Sequence, residues 1–431
     1  DAGVRHDRVR STSGIGRNGA RSDLALRVGY RSPSDWEVYS FAQGTLGRSD
    51  GRSANNRYGV GGSVRLSRKL ELSSELSGGN GGFGLGAQLE FEMSERTNVY
   101  FAYQLSTDRS DTGRSAGTRA GRFTTGGRTR YTDTVEVYGE EQVLHGTGPS
   151  GLVHAYGLNL TPNDRWTIGI SAENGELQDD FAGDLDRTSA TFSLGYEWER
   201  VDLGSALEWR SDSTELEDRD TVLFRKNLNF RLHDDWRALS KVNWSSSSSS
   251  RGELFDAGFL ETVIGLAYRP VFHDRLNGLL KYTYFEDTPS PGQVDYLGQG
   301  LDYSQRSHVF SIDATYELYS WLSLGAKYAF RLGELRFTRE EDGEWFASSA
   351  QLVVIRSEWH FLKKWDAIIE GRLLWAEEAQ DQRSGWLGAI YRHVGDNFKV
   401  GVGYNFSDFT DDLTDLSYDS QGWFVNLIGK F

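Results

Sequence analysis

A strict alternation of apolar and polar residues is the feature that most limits what this chain can fold into. In "NFKVGVGYNFSDF", Phe398, Val400, Val402, Tyr404 and Phe406 fall at every second position and are separated by small or polar residues. The same period of two occurs in "WLSLGAKYAFRL" and "HVFSIDATYEL". A period of two places successive side chains on opposite faces of a strand. The pattern therefore predicts an all-β protein built from many amphipathic strands.

The composition indicates which kind of sheet these strands form. Hydrophobic residues make up only 38% of the chain, below the roughly 45–50% of globular proteins, yet aromatic residues reach 13%. The apolar face of each segment tends to end in Tyr, Trp or Phe, as in the interface girdles of membrane barrels. A soluble sandwich would instead concentrate aromatic side chains in its core. A transmembrane strand needs only about 9–11 residues, so hydropathy averages do not reveal it.

The connections between the segments alternate in length. Short turns such as "RSPSD", "PND", "HDD" and "KK" alternate with longer polar stretches such as "GELQDDFAGDLD", "SDSTELEDR" and "SSSSSSRG". Bacterial outer-membrane barrels have short periplasmic turns, long extracellular loops and an even number of strands. We therefore predict a single transmembrane antiparallel β-barrel of about 24 strands, with 22 to 26 accepted, in the bacterial outer membrane with both termini periplasmic.

The whole chain, residues 1–431, is expected to form this one barrel domain. Residues 1–20 serve as a lead-in or a first strand, for which "VRHDRVRSTSG" is the candidate, and they are too few for a plug domain. A barrel of this width encloses an aqueous lumen unless something fills it. The lumen could be filled by inward-folded loops at residues 286–305 or 107–120, or by another chain. Because the sequence starts with Asp1 rather than Met, we interpret it as a mature or excised segment.

The C-terminal stretch "GWFVNLIGKF" ends on an aromatic residue at the end of an alternating strand. An aromatic side chain exposed to lipid at the membrane interface needs no protein core. The pattern also resembles the signal by which outer-membrane barrels are recognised by the bacterial barrel-assembly machinery. The positions that form this predicted assembly signal are Trp423, Val425, Leu427, Gly429 and Phe431.

Charged residues alternate with the apolar ones and are predicted to face the lumen. They are Glu173, Glu197, Asp202, Glu208, Arg210, Asp313, Lys327, Arg331 and Lys399. Two interpretations remain open for them. They pair across the wall and keep the interior wet, or they set the ion selectivity of a pore.

Other site chemistries find little support in the sequence. The absence of Cys excludes disulfides, thiolate metal sites and Cys nucleophiles, and a net charge of −15 argues against a nucleic-acid partner. His154 is predicted to share a face with Tyr156 and Leu158, but no catalytic constellation converges around it. The acidic segments "DDLTDLSYD" and "EEDGE" match no calcium-loop spacing, so a solvated surface is favoured over calcium bridging. We expect no enzyme activity, no cofactor and no metal site.

The pieces "VGVGYNFSDFTDDLTDL", "YDSQGWF" and "GKF" resemble the C-terminal end of large proteobacterial surface proteins. In that family, long arrays of repeats precede an outer-membrane barrel. The resemblance implies a barrel that anchors or translocates a larger surface protein or partner; the alternative is a porin-like channel for small solutes or a partner-gated pore. The expected partners are outer-membrane lipid and lipopolysaccharide, the assembly machinery, and an upstream or separate surface or periplasmic protein that fills the lumen.

Overall fold

The computed structural model describes residues 2–9, 19–33, 35–48, 53–105, 120–146, 149–179, 183–272, 275–290, 304–337, 343–394, 398–407, 413 and 422–429. These residues form one sheet of 25 strands, together with a 3-10 turn at Glu253–Phe255. The first twelve strands are β1 Ala2–Val9, β2 Gly19–Arg31, β3 Trp36–Arg48, β4 Arg57–Ser67, β5 Leu70–Gly79, β6 Gly82–Ser94, β7 Thr97–Leu105, β8 Ala120–Arg130, β9 Val135–Gly146, β10 Ser150–Asn163, β11 Trp166–Asp179 and β12 Gly183–Trp198. The others are β13 Val201–Thr214, β14 Asp218–His233, β15 Trp236–Ser249, β16 Ala257–Tyr268, β17 Leu276–Thr288, β18 Ser304–Tyr319, β19 Leu322–Arg336, β20 Phe346–Ala347, β21 Ala350–Leu362, β22 Trp365–Ala376, β23 Asp381–Val394, β24 Phe398–Asn405 and β25 Gly422–Gly429. In the part of the chain that is described, no helix has the length and apolar character needed to cross a membrane.

Two of the strands are pieces of one. The two-residue β20 pairs with one end of β19, opposite Glu334 and Leu335, and β21 pairs with the rest of β19 from Arg331 to Leu322. Counted this way, the sheet has 24 antiparallel wall strands. The predicted barrel class and strand number are confirmed.

Each wall strand pairs with its neighbours in the sequence, so the sheet is a continuous antiparallel meander. Along one edge, which we call the short-turn edge, two-residue turns occur at 68–69, 95–96, 164–165, 199–200, 234–235, 320–321 and 363–364. Polar side chains fix several of these turns: Asn163 Oδ1 accepts a hydrogen bond of 3.0 Å from the backbone N–H of Arg165, and Ser67 accepts one of 3.2 Å from Lys69. β1 starts and β25 ends at this same edge.

Three segments predicted to be long loops at the opposite edge are instead mostly strand. In the segment "GELQDDFAGDLD", β11 and β12 include residues 175–186 except 180–182. In "SDSTELEDR", only residues 215–217 lie between β13 and β14. In "SSSSSSRG", β15 includes five of the six serines, up to Ser249. The prediction was wrong because polar residues on the face that is apolar elsewhere in these strands were taken to end a strand. Strands of 14 to 16 residues exceed the roughly 9–11 needed to cross the membrane, so their polar ends pair in water.

The two faces of the sheet differ in the way expected of a membrane protein. On β19, Leu324, Tyr328 and Leu332 are exposed, whereas Ala329 and Arg331 on the other face are only 2% and 4% exposed. We call the first the outer face and the second the inner face. Exposed aromatic side chains on the outer face lie near both edges: Trp36, Trp166, Trp198, Trp236, Trp321 and Trp359 at the short-turn edge, and Trp209, Trp244, Trp386 and Trp423 toward the opposite edge. A continuous exposed apolar belt fits lipid contact.

Candidate functional site: the charged inner face

The nine charges predicted to face the lumen all lie at inner-face positions of their strands. Glu173, Glu208 and Arg210 line one cavity of about 200 Å³ between β9 and β13. Glu197 and Asp202 lie opposite each other next to the turn at 199–200. In the second half of the chain, Asp313 is the register partner of Lys327, and Arg331 is buried. Lys399, on β24, contacts Asp366 on β22. What these charges do remains a prediction.

Two arginines that line this cavity, Arg187 and Arg210, share a carboxylate that the sequence did not single out. Asp212 receives two hydrogen bonds from Arg187, of 2.6 and 3.2 Å, and its Oδ2 lies 3.4 Å from Nε of Arg210. Glu173 and Glu208 line the same cavity. Charges of both signs therefore alternate across neighbouring strands, and each guanidinium is partly open to solvent.

A second group of charges, also missed from the sequence, lies on β21 and β22. The side chain of Glu370 is 3% exposed and accepts hydrogen bonds from Nε of Arg356 at 2.7 Å and from Nε of Arg372 at 2.6 Å. The signal was available, because "VVIRSEWHF" and "DAIIEGRLLW" alternate as regularly as the segments from which the other charges were taken.

At the short-turn edge, β21 to β24 bring four polar side chains together. Nε2 of His393 lies 2.9 Å from Oδ2 of Asp366, and the ring of His360 contacts the other carboxylate oxygen. Lys399 also contacts Oδ2 of Asp366. Of these four residues the sequence had indicated only Lys399 as a lumen-facing charge.

Toward the opposite edge, the same sector of the inner face is apolar. Its buried side chains form one cluster: Val309, Ala329, Ala350, Leu352, Val354, Leu374 and Leu413. Leu413 belongs to the connection between β24 and β25 and is only 2% exposed. The side chain of Leu413 therefore lies against the inner face of β18–β22. Leu413 was not in either of the two segments predicted to fold inward, 107–120 and 286–305. Most of those two segments, residues 107–119 and 291–303, lies outside the described residues. In the described part of the second segment, Ser290 donates a hydrogen bond of 2.8 Å to the carbonyl of Phe255.

The remaining predicted positions are placed as follows. Trp423 and Val425 are exposed on the outer face, Leu427 and Gly429 pair with Val400 and Phe398, and Phe431 lies outside the described residues. Most of "DDLTDLSYD" and "EEDGE" also lies outside them, apart from Leu413 and residues 343–344.

His154 lies on the outer face with Tyr156, as its position in the sequence predicts. Its ring contacts Glu141, and the hydroxyl of Tyr156 donates a hydrogen bond of 3.0 Å to the same carboxylate. Among the described residues, this is a histidine–carboxylate pair on the outer face, separate from the inner-face charges.

No family model matches the chain, and no curated protein matches it. Among solved structures, the ferric citrate transporter FecA in its unliganded form aligns with a TM-score of 0.50 and 12% identity, over 99% of this chain and 77% of that one. A ferric enterobactin receptor variant, PfeA from Pseudomonas aeruginosa, aligns with a TM-score of 0.49 and 11% identity, over 100% of this chain and 80% of that one. The outer membrane transporter YddB from Escherichia coli has a TM-score of 0.46 and 8% identity, over 96% and 74%.

The chain has the fold of a bacterial outer-membrane β-barrel. At these identities the likeness concerns the fold alone, and it agrees with the exposed apolar belt of the outer face.

Proposed function

We propose that this protein is an outer-membrane channel whose lumen is narrowed from within at Leu413, which lies between β24 and β25 in the sequence. The observation that carries the proposal is the burial of Leu413 against the inner face of β18–β22, combined with charged inner-face groups closer to the short-turn edge. Barrels of 16–18 strands already enclose an aqueous channel, and 22-stranded barrels hold a plug. A wall of 24 strands is therefore too wide for its own side chains to fill.

The inner-face charges support passage of polar solutes or of a polypeptide. Asp212 with its arginines and Glu370 with its arginines place charges of both signs along the wall, so that no single-sign field arises there. FecA, which shares the fold, is by its name a transporter of ferric citrate. A transport role of the same general kind, with a solute of its own, is what we propose for this chain.

Orientation and partners belong to the same proposal. The short-turn edge, where β1 starts and β25 ends, is assigned to the periplasm because short turns face that side in bacterial barrels. Trp423 and Val425, exposed on β25, are assigned to the signal read by the barrel-assembly machinery. Lipid and lipopolysaccharide cover the outer face.

A second candidate function is that of an anchor for a larger surface protein. It is supported by the resemblance of about the last fifty residues to the C-terminal end of large proteobacterial surface proteins. A protein segment held in the lumen would then take the place of a permeating solute.

Single-channel recording in planar bilayers distinguishes the two candidates. The refolded chain is expected to give steady conductance steps, and Leu413→Asp is expected to enlarge them, because a carboxylate cannot remain in the apolar cluster without a partner. A matched control is Leu185→Asp, in a second buried cluster formed only by neighbouring strands. Folded protein that stays silent in both the wild type and Leu413→Asp would overturn the channel and favour the anchor.

A further inference from the structure

Three possible metal ligands converge on the inner face near the short-turn edge, each from a different strand. His360 is on β21, Asp366 on β22 and His393 on β23, and their nitrogen and oxygen ligand atoms all lie within 4.8 Å of one another. The ring centroids of the two histidines are 6.0 Å apart, with an angle of 82° between the ring planes. The planes of the two imidazole rings that contact the carboxylate are thus nearly perpendicular.

This set of ligands has a chemical preference. Two imidazole nitrogens and one carboxylate oxygen are a common three-ligand set for Zn²⁺, which leaves a further position open to water. Bonds of about 2.0–2.2 Å to a tetrahedral ion place the ligand atoms roughly 3.3 Å apart. The present spacing, at most 4.8 Å, exceeds this value by no more than about 1.5 Å. Imidazole ligands favour Zn²⁺, Cu²⁺ and Ni²⁺, whereas Ca²⁺ and Mg²⁺ prefer sites made of oxygen.

We propose that His360, Asp366 and His393 form a binding site for a divalent transition-metal ion of the Zn²⁺ class, for which Lys399 competes. The ammonium group of Lys399, on β24, contacts the same carboxylate oxygen that lies 2.9 Å from His393. A metal ion that binds Asp366 must displace this ammonium group and then lies close to its positive charge. The metal links three neighbouring strands at the mouth of the barrel, and Lys399 sets how tightly it binds. This site is separate from the channel proposal and does not depend on an open lumen.

The test is titration of the refolded full-length chain in detergent micelles with Zn²⁺, by calorimetry, and with Co²⁺, by its visible absorption. One ion per chain is expected. Binding should be lost in His393→Gln and Asp366→Asn. In Lys399→Met it should tighten by roughly tenfold or more, because the competing charge is gone. The matched control is His154→Gln, because His154 also contacts a carboxylate but belongs to no group of three ligands among the described residues; this variant should bind as the wild type does.

The Lys399→Met result separates a metal site from a simple ion-pair network. If the four side chains serve only to pair with one another, Lys399→Met will bind no Zn²⁺ and will only lose stability. That result, or binding that persists unchanged in both His393→Gln and Asp366→Asn, overturns the proposal. Should Asp366→Asn fail to fold, His393→Gln and Lys399→Met still decide the question, and heat-modifiability on gels reports folding for every variant.

Discussion

Two stretches of the inner face, β10–β13 and β18–β23, share the same alternating pattern but differ in how deeply they bury their side chains. In β10–β13, Asp212 is 17% exposed between two partly exposed arginines, and the small apolar cluster of Val153, Leu177 and Leu185 comes from three neighbouring strands. In β18–β23, the side chain of Glu370 is 3% exposed, and the larger apolar cluster includes Leu413. A curved sheet alone leaves its inner face partly open; deeper burial occurs where a distant segment lies against it.

The largest expected difference between the two stretches concerns their central carboxylates. Glu370→Gln removes the shared partner of Arg356 and Arg372 and should lower the free energy of unfolding by about 3 kcal/mol, because Glu370 itself is buried and the guanidinium of Arg372, whose side chain is only 10% exposed, loses this counter-charge. Asp212→Asn should cost only about 1 kcal/mol, because water screens its half-exposed arginines. Urea unfolding in phospholipid vesicles, followed by tryptophan fluorescence, measures both. Equal losses would show that burial does not distinguish the two stretches.

The next largest effect concerns the apolar clusters. Leu413→Ala should lower stability by about 2 kcal/mol, since it removes a side chain that is 2% exposed and leaves a cavity. Leu185→Ala, at 8% exposure in the smaller cluster, should cost less because water can enter the space. The same vesicle assay applies. Only Leu413→Ala should also raise conductance; an identical increase in Leu185→Ala would contradict a role for Leu413 in narrowing the lumen.

The smallest effect tests close contact between strands on the inner face. An ideal Cβ at Gly401 would lie 2.1 Å from the ring of Tyr391 on the neighbouring strand, whereas none of the described atoms lies within 4 Å of one at Gly204 on β13. Gly401→Ala should therefore cost about 1–2 kcal/mol. Gly204→Ala should be neutral or stabilise by about 0.5 kcal/mol, because alanine loses less backbone freedom on folding. A loss at Gly204 equal to that at Gly401 would show that glycine is needed for some reason other than the aromatic ring.

The sequence predicted the architecture because alternation is a local property. A period of two assigns each residue to a face without reference to any other strand, so the inner-face positions of Lys327, Arg331 and Lys399 could be read directly. The same principle gave the strand number. It failed at the ends of β11–β15, where the outer face of each strand turns polar and the alternation no longer marks where pairing stops.

Which inner-face residues meet was decided only by the tertiary structure. Asp366 contacts His360, His393 and Lys399, and Glu370 contacts Arg356 and Arg372. Those contacts depend on the register between strands, which turn geometry and side-chain packing fix together. The position of Leu413 against β18–β22 depends on still more distant parts of the chain. The sequence by itself thus determined which way each side chain points, because that follows from the geometry of one strand; its partners followed from pairing and packing among many strands, which no single segment encodes.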